Sequence, residues 1–236
     1  MLVGFLAKKI MNNLKDVYPV HMSAEHLEML PKIVSSWEEG ARILCLGVLD
    51  ERIKSDNITV VDPQKVYEIF GTDTKLPYEE CTFDNCICIG TLGSVENPFL
   101  LSRDIQRVLV SGGNMYVEAP FMSPYTTSEN DYYRFTPRGL CKLFDKMDVH
   151  SIGIANGPGS ALHWITSIYD ALKFDVDGDY ETMGTRVANP DYQISRKVLG
   201  MHNEYLKYTD ELYSRKEHAC TIACSLYMMA SKPKDK

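Results

Sequence analysis

The segment from Gly71 to Pro120 constrains the fold most, because three patterns follow one another in it without interruption. FDNCICI (Phe83–Ile89) is a short apolar run. Phe99–Leu109 then places Leu101, Ile105, Val108 and Leu109 on one helical face, and Met115–Ala119 is a second apolar run after the Gly112-Gly113 pair. Strands alternating with helices imply a parallel sheet, because parallel neighbours need a long crossover between them. Upstream, RILCLG (Arg42–Gly47) and ITVVD (Ile58–Asp62) read as further buried parallel strands, short and apolar, the second of them rich in β-branched residues.

The alternation extends in both directions. Residues 1–40 read as helical, with Leu27, Leu30, Ile33, Val34 and Trp37 recurring at three- and four-residue steps before Gly40. Thr136-Pro137 supplies an N-cap and a first-turn proline for a helix through Leu140, Leu143, Phe144 and Met147, and Val149–Ile154 follows as a strand. After Asn156-Gly157-Pro158-Gly159 come two helical patterns, 161–174 and 192–216, and then the strand-like Ala219–Ala230. With a short strand expected just ahead of Asp73, the expectation is an α/β fold. It is a doubly wound, mostly parallel seven-stranded sheet with helices on both faces, a helical cap over 1–40, a domain over 41–236 and a helical insertion over 156–217 before the last strand.

At 236 residues and 44% hydrophobic content the chain can bury one substantial core. A formal charge of -7 argues against a large phosphate-tracking surface, so nucleic acid is a poor partner. The 7 cysteines lack the paired spacings of a zinc site and the density of a disulfide scaffold, and the simplest compartment is a reducing cytoplasm. No apolar run approaches the roughly 18 residues of a membrane span. The N-terminus, MLVGFLAKKIMNNLK, has its apolar stretch ahead of its lysines, the reverse of a secretory signal; it is read as a helix packed on the domain, the alternative being organelle targeting or membrane-surface contact. Asp175-Val176-Asp177-Gly178-Asp179 has alternating acids, but Tyr180 stands where a calcium loop needs glycine and Arg186 where it needs glutamate, so no metal is expected there.

Ligands of doubly wound sheets bind at the carboxyl ends of the strands, so each strand end is a candidate. Gly47 ends the first strand, where a missing Cβ either admits a cofactor to the backbone or makes a turn. Asp62 ends the second, either accepting both hydroxyls of a ribose or forming the Asp62-Pro63 turn. Asp73 comes at the end of the expected short strand, placed to accept from an adenine amino group while the backbone N–H of Thr74 meets a ring nitrogen.

These three residues coincide with longer motifs. LPYEECTFDNCICIG resembles the LPF-acid-x-x-FD-strand segment of type 11-like, class I S-adenosylmethionine (SAM)-dependent methyltransferases, and RVLVSGGNMYVEAP resembles their RVLKPGG turn and fifth strand. Asp131-Tyr132-Tyr133-Arg134-Phe135-Thr136-Pro137, followed by Gly139-Leu140, resembles the D-Y-[YW]-R-F-T-P-x-G-L signature of a subgroup often associated with surface-polysaccharide and glycan pathways. The resemblance covers residues 42–165 and the terminal strand. It implies a Rossmann-like sheet, SAM as cofactor with S-adenosylhomocysteine (SAH) as product, and methyl transfer to a small-molecule or glycan-linked acceptor at oxygen. Residue by residue, it implies that Gly47 opens the SAM loop, Asp62 binds ribose, Asp73 and Thr74 contact adenine, and Gly90 and Thr91 border the methionine part. The chain departs from the family at Leu49, in the place of a second glycine, at Gly93-Ser94 in the place of Glu-His, and at Val110-Ser111 in the place of Lys-Pro.

An oxygen acceptor needs a base within hydrogen-bond reach. The candidates are Glu118 at the end of the fifth strand, Tyr132 and Tyr133 in the following loop, and His163 at the start of the insertion. The tyrosines can equally be loop anchors and the histidine a packing residue. Arg134 either recognises an acceptor phosphate or carboxylate with Tyr133, or pairs with Asp131. The insertion is expected to form a lid on the acceptor pocket or a contact between copies of the chain. Two other functions are weighed: a catalytically inactive binding or scaffolding protein of the same fold, suggested by the missing second glycine, and a nicotinamide-dependent oxidoreductase, which LGVLDER fails for want of G-x-G-x-x-G.

Overall fold

The computed structural model describes residues 24–47, 53, 57–71, 75–125, 129–162, 164–165 and 220–235. The described elements are α1 (Ala24–Ser35), β1 (Ile43–Gly47), β2 (Ile58–Val61), α2 (Pro63–Gly71), β3 (Phe83–Ile89), α3 (Pro98–Val108), β4 (Leu109–Pro120), α4 (Pro137–Leu143), β5 (Asp148–Asn156), a short 3-10 turn (Cys220–Ile222) and β6 (Ser225–Ser231). They divide into two compact units. One holds 23–121, 130–155 and 225–236, and the other holds 122–129 and 156–224 together with 1–22. In the second, Met122 N–H donates to the Ala223 carbonyl and Cys224 N–H to that of Asn156.

The first unit carries the sheet. Among the described residues it has six strands in the order β2-β1-β3-β4-β6-β5. β2, β1, β3 and β4 run parallel to their neighbours, whereas β6 is antiparallel to β4, with Tyr116 opposite Met229 and Glu118 opposite Tyr227. The short strand expected ahead of Asp73 lies outside the described residues, as do residues 1–23 of the expected cap and nearly all of the insertion from 166 onward. No described helix is long and apolar enough to cross a membrane.

Burial explains why the central strands read as continuous apolar runs. All five residues of β1 are buried, so both of its faces are covered. On one face Ile43, Cys45, Ile87 and Tyr116 meet Leu30 of α1, with Ile33, Val34 and Trp37 packed alongside. The residues between them, Leu44, Leu46, Cys86, Cys88, Met115 and Val117, are likewise buried and by the alternation of a strand point to the other face. The helices contribute Val66, Ile69 and Phe70 from α2, Leu101, Ile105 and Val108 from α3, and Leu140 and Leu143 from α4 to the core.

Local chemistry sets the helix starts. The Asn97 side chain accepts from Leu100 N–H at 3.0 Å ahead of Pro98, and the Thr136 hydroxyl accepts from Gly139 N–H at 3.1 Å ahead of Pro137. Two elements differ from expectation. Gly112-Gly113 lies inside β4 rather than before it: Phe83 faces Leu109 but Asn85 faces Asn114, so β4 bulges between them. The last strand starts at Ser225 because the 3-10 turn occupies Cys220–Ile222.

Candidate functional site

After β1 the chain crosses to β2 on one side, then returns to β3 on the other, so strand order reverses at β1. Because β2, β1, β3 and β4 are parallel, Asp62, Gly47, Gly90 and the end of β4 all lie along one edge of the sheet, and the reversal opens a crevice there.

Gly47 adopts φ +107°, and a Cβ on it would lie 2.0 Å from the Ile89 carbonyl oxygen and 2.8 Å from Thr91 Cγ2. The neighbouring strand end therefore requires glycine there, before any ligand is considered. Asp62 is exposed. Its Oδ1 accepts from Gln64 N–H at 2.9 Å and its carbonyl accepts from Val66, so it caps α2, while Oδ2 has no partner among the described residues. Both roles weighed for Asp62 in the sequence can coexist in this arrangement, one on each oxygen. Asp73, Thr74 and His163 lie outside the described residues.

Past β3, Gly90 turns the chain with φ 75°. Thr91 is fully buried, its hydroxyl 2.9 Å from Cys88 Sγ, so its side chain is part of the core beneath this strand end. Burial pushes the Cys88 thiol up to about 12, so it is a neutral core group.

Glu118, two residues before the end of β4, is 6% exposed. Its Oε1 accepts from the Tyr116 hydroxyl at 2.8 Å, and the Tyr116 ring stacks on Tyr227 with centroids 6.1 Å apart. The Asp131–Phe135 loop docks beside it. Tyr132 and Tyr133 N–H groups both donate to the Gly93 carbonyl, and Phe135 N–H donates to that of Pro120. A Cβ on Gly93 would lie 2.5 Å from Pro120 Cγ and 3.0 Å from the Tyr133 carbonyl, so glycine is needed where the resemblance leads one to expect Glu-His. The Tyr132 hydroxyl donates to the Glu96 carboxylate and the Tyr133 hydroxyl to the Glu96 carbonyl, at 3.1 and 2.9 Å. Both rings are held in place yet remain 44% and 38% exposed. Arg134 is bidentate to Asp131.

Four contributors escape a reading of the sequence. Tyr67 of α2 donates to the Gly90 carbonyl at 3.3 Å. Gly93 and Glu96 anchor the tyrosines. The fourth is the Asp104–Arg107 pair. Asp104, 3% exposed, accepts from Leu76 N–H at 2.6 Å and from Arg107 Nε at 2.6 Å, while Arg107 donates to the carbonyls of Tyr78 and Leu76. The pair thus clamps the backbone just after Asp73 and Thr74. Its only sequence signal is an acid and a base three residues apart on α3.

The edge has a definite chemical character. Among the described residues Gly47, Asp62, Tyr67, Gly90, Thr91, Ser94 and Glu118, Asp62 and Glu118 are acidic and none is cationic. No described group of three or more His, Cys, Asp or Glu could hold a metal.

No protein-family model matches the chain, and no curated protein matches it. Solved structures do resemble it in fold. A Haemonchus contortus phosphoethanolamine N-methyltransferase 2 in complex with SAM is 16% identical, with a TM-score of 0.46 over 89% of this chain and 52% of that one. A SAM-dependent methyltransferase of Methanosarcina mazei is 15% identical, with a TM-score of 0.36 over 52% of this chain and 86% of that one. The [4+2]-cyclase SpnF is 14% identical, with a TM-score of 0.44 over 87% of this chain and 81% of that one.

Proposed function

We propose that the chain is a SAM-dependent methyltransferase acting at an oxygen of a small-molecule or glycan-linked acceptor, with a Rossmann-like, doubly wound sheet and SAH as product. The observation that carries this reading is the gathering of Gly47, Asp62 and Gly90 around the reversal of strand order. Bound SAM supplies a methyl group on an electrophilic sulfonium. Asp62 offers Oδ2 to the ribose hydroxyls, Asp73 and Thr74 take the adenine edge, and the Gly90–Thr91 backbone borders the amino-acid end.

An in-line displacement asks the protein mainly to align the partners and exclude water. In this reading the Glu118 carboxylate takes the proton of the acceptor hydroxyl, with Tyr132 and His163 as the other candidates for that task. Tyr133 and Arg134 form the acceptor wall, which the tethering of both tyrosines to Glu96 supports by holding the rings in one orientation. Cys45, Cys81, Cys86, Cys88, Cys141 and Cys224 are free thiols, in keeping with a cytoplasmic protein. Calorimetric titration tests the reading: heat of binding is expected with both SAM and SAH, and the absence of binding by either at millimolar concentration overturns it.

One observation favours a second reading, a catalytically inactive protein of the same fold. The space that a missing Cβ leaves at Gly47 is taken up by the Ile89 carbonyl, and Leu49 stands where a second glycine is expected. Leu49→Gly separates the two, because an inactive protein gains SAM binding from it and an enzyme already has it.

A further inference from the structure

Tyr67 has no part in the reading above, yet it crosses the middle of the crevice. It stands on α2, after β2, and its hydroxyl donates to the carbonyl of Gly90, after β3. β1 lies between those two strands. A side chain that joins the helix following β2 to the residue following β3 therefore passes over the carboxyl end of β1, at Gly47.

This position has a chemical meaning if SAM is the ligand. Asp62 on one side takes the ribose and Gly90 on the other borders the amino-acid end, and the sulfur is bonded to both parts. The sulfur must then lie between them, beside the Tyr67 phenol and the Gly90 carbonyl. A sulfonium is a cation with no N–H or O–H to donate, so aromatic faces and oxygen lone pairs are what it can be attracted to. The thioether of SAH occupies the same place without the charge. The phenol is neutral at neutral pH, and burial raises its pKa further.

We propose that Tyr67 is a specificity-determining residue of the crevice, holding its ring beside the sulfonium so that the charged methyl donor is favoured over the neutral product. The inference rests on the SAM reading, and one set of titrations separates the two. Kd for SAM and for SAH is measured by calorimetry on the full chain with Tyr67, Tyr67→Phe and Tyr67→Leu. Tyr67→Leu is expected to weaken SAM by about 2- to 30-fold, the span of a cation–π contact, and to leave SAH unchanged. Tyr67→Phe keeps the ring and is expected to keep the wild-type ratio of the two constants. If Tyr67→Leu weakens both ligands equally, or Tyr67→Phe loses the preference, Tyr67 is only a wall and the inference falls while the SAM reading stands. If the wild type binds neither ligand, both fall. Should Tyr67→Leu not fold, Tyr67→Met, which also removes the ring, is titrated in its place with the same two outcomes.

Discussion

At the scale of single residues the edge combines structural and chemical demands on the same atoms. Gly47 has to be glycine because its backbone lies in the left-handed region and the Ile89 carbonyl fills the space a Cβ would need. Gly47→Ala is expected to cost at least about 2 kcal/mol in denaturant unfolding, from φ strain together with a backbone clash that no rotamer can relieve. Glu118 is the residue proposed as the base. Glu118→Gln keeps a carbonyl oxygen for the Tyr116 hydroxyl but cannot take a proton. It is expected to lower turnover by about 10²- to 10⁴-fold with SAM affinity unchanged; undiminished turnover removes Glu118 as the base. The resemblance could point to Tyr132, Tyr133 and Arg134 as residues, but not to what their side chains reach. Glu96 and Gly93 lie some forty positions away, about as far as a parallel crossover with its returning strand, and no local pattern couples them.

Among the elements, the legible ones were those whose periodicity comes from burial. β1, β3 and α3 are covered by core on the faces their apolar residues predict, so pattern and structure coincide to within a residue. The bulge in β4 was not legible, because Gly112-Gly113 reads as a turn until the register with β3 shows that both sides of it pair with the same strand. Nor was the clamp by which α3 holds the segment after α2. Arg107→Leu would leave the Asp104 carboxylate buried without its cation, and we expect a loss of about 3–5 kcal/mol in unfolding free energy. SAM affinity should fall beyond what the unfolded fraction explains, because Leu76 and Tyr78 come soon after Asp73 and Thr74, the residues proposed to contact adenine. At the opposite edge, Arg42 bridges β1 to Asp84 of β3 with its guanidinium and backbone N–H. The Arg42 hydrogen bond lowers the Asp84 pKa. A carboxylate lowered on folding contributes stability above its unfolded pKa, near 3.9, and loses it as pH falls through the folded value. Asp84→Asn should therefore be less stable than wild type at neutral pH and converge with it in strong acid. Because the pair is exposed on both sides, the neutral-pH difference is expected to be small.

For the molecule as a whole, the crevice is assembled from the ends of three strands that are far apart in sequence, so a ligand there must stabilise the sheet as one body. Binding to the native state alone adds RT ln(1 + [L]/Kd), about 2.7 kcal/mol at one hundred times Kd. For a domain of this size that corresponds to a rise in Tm of about 5–10 °C. The same ligand leaves a local trace in amide exchange. Without ligand, slow exchange should be confined to β1, β3 and the buried Met115–Ala119 part of β4, while β2, with Val60 49% exposed, and the first half of β5 exchange faster. With SAH, added protection should appear at 62–67 and 89–94, the two chain segments that Tyr67 joins, and not at the Arg42–Asp84 edge. A nonspecific stabiliser raises Tm and slows exchange everywhere, whereas a ligand held at the far end of the sheet protects the Arg42 side. Protection of 62–67 and 89–94 together with a saturable rise in Tm therefore tests the location of the site independently of turnover, and can be measured before any acceptor is known.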